Sequence, residues 1–339
     1  MSSHVVGHDE QRRRIARAWS AGRLAHAYLF VGPEGVGKRT FAVHFAKTLL
    51  CQRPNIDALE PCNECASCKV FDGGNHPDFS VFEQDPDKTV FEVEMAREVV
   101  EPLMLKPALG GRHVAVIDSA EKFSGSAGNA LLKIIEEPPE QVVLLLITTT
   151  LEGILPTIRS RCQTMTFSRL EVDELRQVLL KSGLAATQDE ARSLAEAAGG
   201  SVANVDDLRD ADWRELQPRL LERLSRPPVD AVRFARDIVK YCEDAGKEAG
   251  PKRRRAAMVV RTVLEMYRKA LQHRSGAAAS PNEVVASAVE CAEDTLIDLI
   301  ARSLEADEQI RRYLHLPTVI DCWIDDLAQI AAGAYAPIG

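Results

Sequence analysis

The residues Gly32-Pro33-Glu34-Gly35-Val36-Gly37-Lys38 have the spacing G-x-x-x-x-G-K. They stand between the apolar run Ala27–Val31 and a helical pattern that begins at Arg39. Glycines so spaced let a strand-to-helix loop curl until its backbone N–H groups face phosphate oxygens. The helix N-terminus adds positive potential, and the lysine reaches the outer phosphates. A plain glycine turn is the alternative; the flanking strand and helix favour a phosphate loop. The next residue breaks the pattern. The hydroxyl that should hold Mg²⁺ belongs at position 39, which is Arg39, and Thr40 lies one place on, turned roughly 100° about the helix. Arginine has no lone pair for a metal and repels it. The expectation is a loop that binds nucleotide weakly or survives as a relic.

A second apolar run, His113–Ile117, ends at Asp118-Ser119-Ala120-Glu121. A strand ending in Asp is the expected partner of a phosphate loop, with Asp118 near the metal; a simple strand-end turn residue is the alternative. ATP hydrolysis in such folds needs a group that orients the attacking water. The usual place is directly after the Asp. Here it is Ser119, with Glu121 two places further.

Cys51, Cys62, Cys65 and Cys68 form C-x10-C-x2-C-x2-C. Four thiolates with two-residue gaps can close a tetrahedral site. All-sulfur tetrahedral sites favour zinc or iron–sulfur, and with no open position the role would be structural. An iron–sulfur ferredoxin run would need another cysteine at position 72, which is Asp72. Buried free thiols or a redox pair are the alternatives. Cys162, Cys242, Cys291 and Cys322 are scattered and read as small apolar side chains. Arg161, in Thr157-Ile158-Arg159-Ser160-Arg161-Cys162, follows the last long apolar run. An arginine at such an edge can reach a neighbour's γ-phosphate, although from position alone a surface arginine in an ion pair is the favoured reading.

The elements that must position these groups follow from period and punctuation. Strands are expected at 27–31, 79–83, 113–117, 142–148 and 164–167, with helices at 11–21, 39–50, 93–104 and 125–136 between them. Strands alternating with helices predict a parallel sheet covered on both faces. After Phe167 the pattern changes to three short helices, 170–181, one capped by Thr187-x-x-Glu190, and one from Ser201 through Leu208. From Trp213 onward everything is helical by period: 213–224, 229–245, 252–273, 282–304 and 316–332. Breaks fall at Pro227-Pro228, Gly246–Pro251 and Ser275–Pro281. The expected domains are 1–167, 168–210 and 211–339.

Composition limits the partners. Hydrophobic residues are 45% and charged residues 27%, ordinary for a folded soluble chain. The longest purely apolar run, Val142–Ile147, is far short of the ~20 residues of a membrane span, and the N-terminal stretch has no apolar signal core. A cytoplasmic protein is the expectation. The formal charge of −8 argues against nucleic-acid binding driven by net charge. Lys252-Arg253-Arg254-Arg255 is the one basic cluster weighed for DNA contact; capping or solvating a helix is the favoured reading.

Taken in order, LAHAYLFVGPEGVGK, the four-cysteine insertion, NALLKIIEEPP and TIRSRC resemble the bacterial clamp-loader subunits of the AAA+ class. The resemblance covers about the first 167 residues; the remainder is similar in architecture, a helical lid and then a helical collar. It implies an α/β P-loop AAA+ domain with a zinc insertion over 51–68. It implies Gly32, Gly35, Gly37, Lys38, Arg39, Thr40 and Asp118 as a degenerate nucleotide site, with ATP binding weak or absent. Cys51, Cys62, Cys65 and Cys68 would be zinc ligands. Ser160-Arg161-Cys162 matches the family's SRC motif, whose arginine acts on a neighbour's ATP, and Val6-Gly7-His8 resembles a segment that packs near the adenine. Implied partners are gamma/tau-type and delta-type subunits in a hetero-oligomeric ring, with the sliding clamp and primer–template DNA reached through the complex. DNA polymerase (nucleotidyltransferase) activity would belong to the whole assembly, and no membrane is involved. Within the family, Arg39, Ser119 and Ala203, the last in place of the arginine of a G-S-x-R lid motif, favour the non-hydrolysing member. An active gamma/tau-type ATPase using Thr40 and Glu121 as displaced substitutes is the alternative, and a zinc-stabilised nucleic-acid binder the third reading.

Overall fold

The computed structural model describes residues 5–83, 91, 93–109, 111–225, 230–275, 291–312 and 314–333. They fall into two compact units, Met1–Asp206 and Asp207–Gly339.

The first unit is built on five parallel strands: β1 (Ala27–Val31), β2 (Phe79–Phe82), β3 (His113–Ile117), β4 (Val142–Thr148) and β5 (Gln163–Thr166), in the order β2-β3-β4-β1-β5. The three central strands are buried at every residue, which is why they read as unbroken apolar runs. Around them lie α1 (Asp9–Ser20), α2 (Lys38–Leu50), α3 (Ala66–Asp72), α4 (Val93–Leu103), α5 (Gly125–Glu136) and the four-residue α6 (Pro156–Arg159). Successive strand residues serve opposite faces. Phe30, Val116 and Leu145 pack with Ile15, Phe41 and Phe45 of α1 and α2, whereas Leu29, Ile117 and Leu144 pack with Val99 of α4 and Leu131 of α5. This is the parallel α/β sheet with helices on both faces expected from the sequence.

Three further helices follow: α7 (Val172–Lys181), α8 (Gln188–Ala198) and α9 (Val202–Arg209). Thr187 caps α8 by accepting from the Glu190 amide at 3.2 Å, and Gly199 ends it at φ +56°.

The second unit contains no strand among its described residues. Its helices are α10 (Ala211–Ser225), α11 (Ala231–Glu243), α12 (Ala249–Arg274), α13 (Glu293–Arg311) and α14 (Leu316–Ala331). Trp213, Tyr267 and Trp323 centre its core, and the Trp323 indole N–H donates to Ser303 Oγ at 3.1 Å. The helix expected over 282–304 differs: α13 starts at Glu293 and runs on to Arg311, because Ala306 and Ile310 continue its buried face. Residues 282–290, the expected break at 276–281 and Pro227-Pro228 lie outside the described residues.

The basic cluster sits in the first turns of α12, where cations oppose the helix dipole. Two of the four side chains are committed within the unit. Arg253 donates to the carbonyls of Ile310 and Leu314 at 2.8 and 2.7 Å. Arg255 pairs with Asp210 at 2.9 Å, donates to the Tyr241 carbonyl at 2.7 Å and lies 4.4 Å over the Tyr241 ring. They staple helices of this unit together.

Candidate nucleotide site and metal centre

Parallel strands place all their C-terminal ends along one edge of the sheet, where ligands bind in such folds. The loop Gly32–Lys38 leaves β1 there, Asp118 leaves β3, and Thr149 follows β4. The sequence-predicted residues Lys38 and Asp118 are therefore brought together, and Glu121 joins them from a short 3₁₀ turn, Ala120–Lys122.

The loop has the backbone that its glycines foretold: Gly35 and Gly37 lie at φ +73° and +95°. Its lysine is occupied. Lys38 is 6% exposed, and its ammonium donates to the carbonyls of Gly32 and Pro33, both at 2.6 Å. Burial pushes its pKa down, against the opposing pull of Asp118, Glu121 and Glu34. At the Mg²⁺ position Arg39 pairs with Glu83, just past β2. Thr40 is exposed. Burial raises the Asp118 pKa, opposed by the Ser119 amide, which donates to Oδ1 at 2.8 Å, and by the nearby Arg39 charge. Arg39 thus brings a fixed cation close to Asp118. Glu121 accepts from Thr149 Oγ1 at 3.0 Å, and its other oxygen is buried with no hydrogen-bond partner.

A contact the sequence did not announce closes this site. The start of α9 lies on the phosphate loop. Val202 N–H donates to Gly35 O at 2.9 Å, and Ser201 Oγ donates to Glu34 O at 2.9 Å. A Cβ added at Gly35 would stand 2.3 Å from Ser201 Oγ and 2.7 Å from the Ala203 Cβ. Gly35→Ala is therefore expected to lower the melting temperature measurably, since the left-handed backbone alone costs about 1–2 kcal/mol before the lid is displaced; an unchanged thermal melt would contradict this packing. His8 holds the loop from the other side: its Nε2 lies 2.7 Å from Val36 O, and its ring packs edge-on against Phe167 with centroids 4.8 Å apart.

The four cysteines lie at the far end of α2. Thirteen residues of helix separate them from the loop, about 20 Å at 1.5 Å per residue, so they take no part in phosphate chemistry. Cys51 caps α2 and Cys65 caps α3. All four sulfurs lie within 4.8 Å of one another, the one such group among the described residues. Zn–S bonds of about 2.3 Å put tetrahedral sulfurs about 3.8 Å apart, and Cys51 and Cys65 Sγ stand 4.0 Å apart. Backbone N–H groups already point at sulfur: those of Arg53 and Cys62 at Cys51 (3.4 and 3.2 Å), and that of Cys68 at Cys65 (3.4 Å). The amides of Glu64 and Cys65 draw the Cys62 pKa down to about 6. The donor set fits a tetrathiolate metal. Beside it the buried Lys47 ammonium bonds Asp72 and Asn63, each at 2.7 Å, tying the insertion to α2.

Arg161 belongs to neither group. It follows α6, and its neighbour Cys162 is buried in the core beside Ile158. Its guanidinium contacts Glu136, at the end of α5, at 3.0 Å.

Residues 7–171 match the family described as "DNA polymerase III, delta subunit". The match covers just under half of this chain. The delta-prime subunit of DNA polymerase III from Pseudomonas aeruginosa is 41% identical over 138 residues, which are 41% of this chain and 42% of the relative. That of Bacillus subtilis is 30% identical over 59% of each chain. The tau subunit of Bacillus subtilis is 33% identical over 71% of this chain and 39% of its own length. The chain thus spans about two fifths to three fifths of the length of these relatives. The matched segment contains the phosphate loop, the four cysteines, Asp118 and Arg161; the contact of Ser201–Ala203 with the loop lies beyond it. No described helix is long and apolar enough to cross a membrane.

Proposed function

We propose that this chain is a delta-prime-type subunit of the DNA polymerase III clamp loader, one that does not hydrolyse ATP. It scaffolds a hetero-oligomeric ring with gamma/tau-type and delta-type subunits and lends Arg161 to ATP on a gamma/tau-type neighbour. Through that complex it serves the loading of the sliding clamp on primer–template DNA in the bacterial cytoplasm. In this reading 1–167 is the AAA+ domain, 168–210 the lid and 211–339 a collar through which subunits assemble. Cys51, Cys62, Cys65 and Cys68 hold a structural zinc ion, which supplies cross-linking of the insertion and no chemistry.

The observation that carries this reading is the state of the phosphate loop's two cations. Lys38 is bonded to the loop's own carbonyls, and the Mg²⁺ position holds a guanidinium paired with Glu83. Phosphoryl transfer requires a metal ion bridging phosphates and a positioned water. Here Arg39 repels the first. The residue after Asp118 is Ser119, at φ +59°, a poor group for orienting the second. The residues do not fit Mg²⁺–ATP.

A second reading, an active gamma/tau-type ATPase, has one observation on its side: the unpartnered buried oxygen of Glu121, close enough to influence Lys38. One experiment decides. Purified chain alone is expected to turn over Mg²⁺–ATP no faster than its Lys38→Ala variant; turnover clearly above that control establishes the second reading. Reconstitution with a gamma/tau-type subunit, with and without this chain, then measures its contribution to the complex.

A further inference from the structure

We infer that Glu136 is a positioning residue for Arg161: it fixes the guanidinium so that its unused N–H donors form a fork for an oxyanion held by a neighbouring subunit. This rests on the reading of Arg161 as a finger, and the experiment below separates the two.

Both ends of the contact stand on rigid ground. Glu136 is the last residue of α5. Its predecessors Ile134 and Ile135 are buried in the core, and Ile135 O lies 2.9 Å from the His26 ring nitrogen Nε2, across the base of the sheet. Pro138-Pro139 then forbids another turn. On the other side, the amides of Arg161 and Cys162 both donate to Ile158 O, at 3.1 and 3.2 Å, and Ile158 and Cys162 are buried in the same core as Ile134 and Ile135. Gly128 lets the two elements approach: a Cβ there would lie 2.4 Å from Leu155 Cδ1.

The guanidinium itself has a defined pattern of use. Nη1 donates to Thr157 O at 3.1 Å and to Ser160 Oγ at 3.3 Å, and Nη2 contacts Glu136 Oε1 at 3.0 Å. Arginine has five N–H donors. The two hydrogen bonds occupy Nη1 and leave Nη2 and Nε, whose adjacent N–H groups suit bidentate binding of a phosphate, with the Glu136 carboxylate as the ion-pair partner beside Nη2. The ion pair is too exposed, at 41% and 46%, to be explained by stability: such pairs contribute ~0–1 kcal/mol. What it does supply is orientation. Thr157 O and Ser160 Oγ both bind Nη1, so without Glu136 the described contacts leave Nη2 with no partner.

The test uses the complex assembled with an ATP-hydrolysing gamma/tau-type partner, read by single-turnover hydrolysis and by kcat and KM. Glu136→Ala is expected to lower kcat about tenfold with KM for ATP within about twofold, because a finger acts on the transition state. Glu136→Gln keeps the Oε1 acceptor and is expected to stay within about threefold of the parent. In an Arg161→Ala background, Glu136→Ala should add nothing, the mark of two residues acting as one unit. Native turnover or faster in Glu136→Ala, in a complex that Arg161→Ala does slow, overturns the positioning role and leaves the finger. A tenfold loss that persists without Arg161 overturns it too. Native turnover in Arg161→Ala overturns the finger and this inference together.

Discussion

Replacing Arg161 by alanine is expected to lower ATP turnover at a partner's site by about 10³-fold or more, the range in which an arginine supplied in trans acts on phosphoryl transfer. The chain stays folded. The Arg161 side chain is about two-fifths exposed and its ion pair is a surface pair, so its removal shifts stability by less than about 1 kcal/mol. The buried anchors Ile158 and Cys162 remain in place. Assembly measured by size exclusion should therefore be unchanged while single-turnover hydrolysis collapses. Lysine at this position is expected to recover little, because an ammonium lacks the planar fork. Arg161→Ala with undiminished hydrolysis would end the finger assignment.

The second large effect concerns the cysteines. Metal analysis is expected to return one zinc per chain, and Cys65→Ser to lose it. The insertion from Gln52 to Asn75 has little apolar material of its own; Leu59 is its fully buried large side chain. The sulfur cluster and the Lys47–Asp72 pair hold it to α2. Structural zinc contributes up to about 10–16 kcal/mol of apparent binding energy in isolated small modules. Here the first unit has its own sheet core, so a smaller loss is expected, about 3–5 kcal/mol, equivalent to roughly 10 °C in melting temperature for a unit of this size. Differential scanning calorimetry with and without a chelator measures it. A metal-free chain that melts with the native one would contradict the site.

How much of this was legible depended on what each element is made of. The central strands were readable to the residue at 27–31, 113–117 and 142–148 because burial on both faces demands unbroken apolar runs. The edge strands shifted by one residue: β2 stops at Phe82 and β5 spans Gln163–Thr166, since a half-exposed strand carries a weaker pattern. Helices α3 and α6 went unseen. Seven and four residues are too few to show a 3.6-residue period, and α3 is set by cysteine geometry.

The site divided along similar lines. Lys38, Asp118 and the cysteines were found because their chemistry fixes their spacing. Arg39, Ser119 and Ala203 were found as departures from that spacing. The lid lying on Gly35, the Lys38–carbonyl bonds and the Glu136–Arg161 contact were not, for they join residues 166, 6 and 25 positions apart through side chains that many residue types could replace. Glu136 stands in the stretch NALLKIIEEPP, yet there a glutamate before a proline pair reads first as a helix end.

Sewing Ser201 and Val202 to the loop carbonyls of Glu34 and Gly35 has a mechanical result. Here two hydrogen bonds internal to the chain already span the joint between the loop and the start of α9. In the proposed scaffold role, strain arriving from an adjoining subunit would be carried through this joint, as a fulcrum requires.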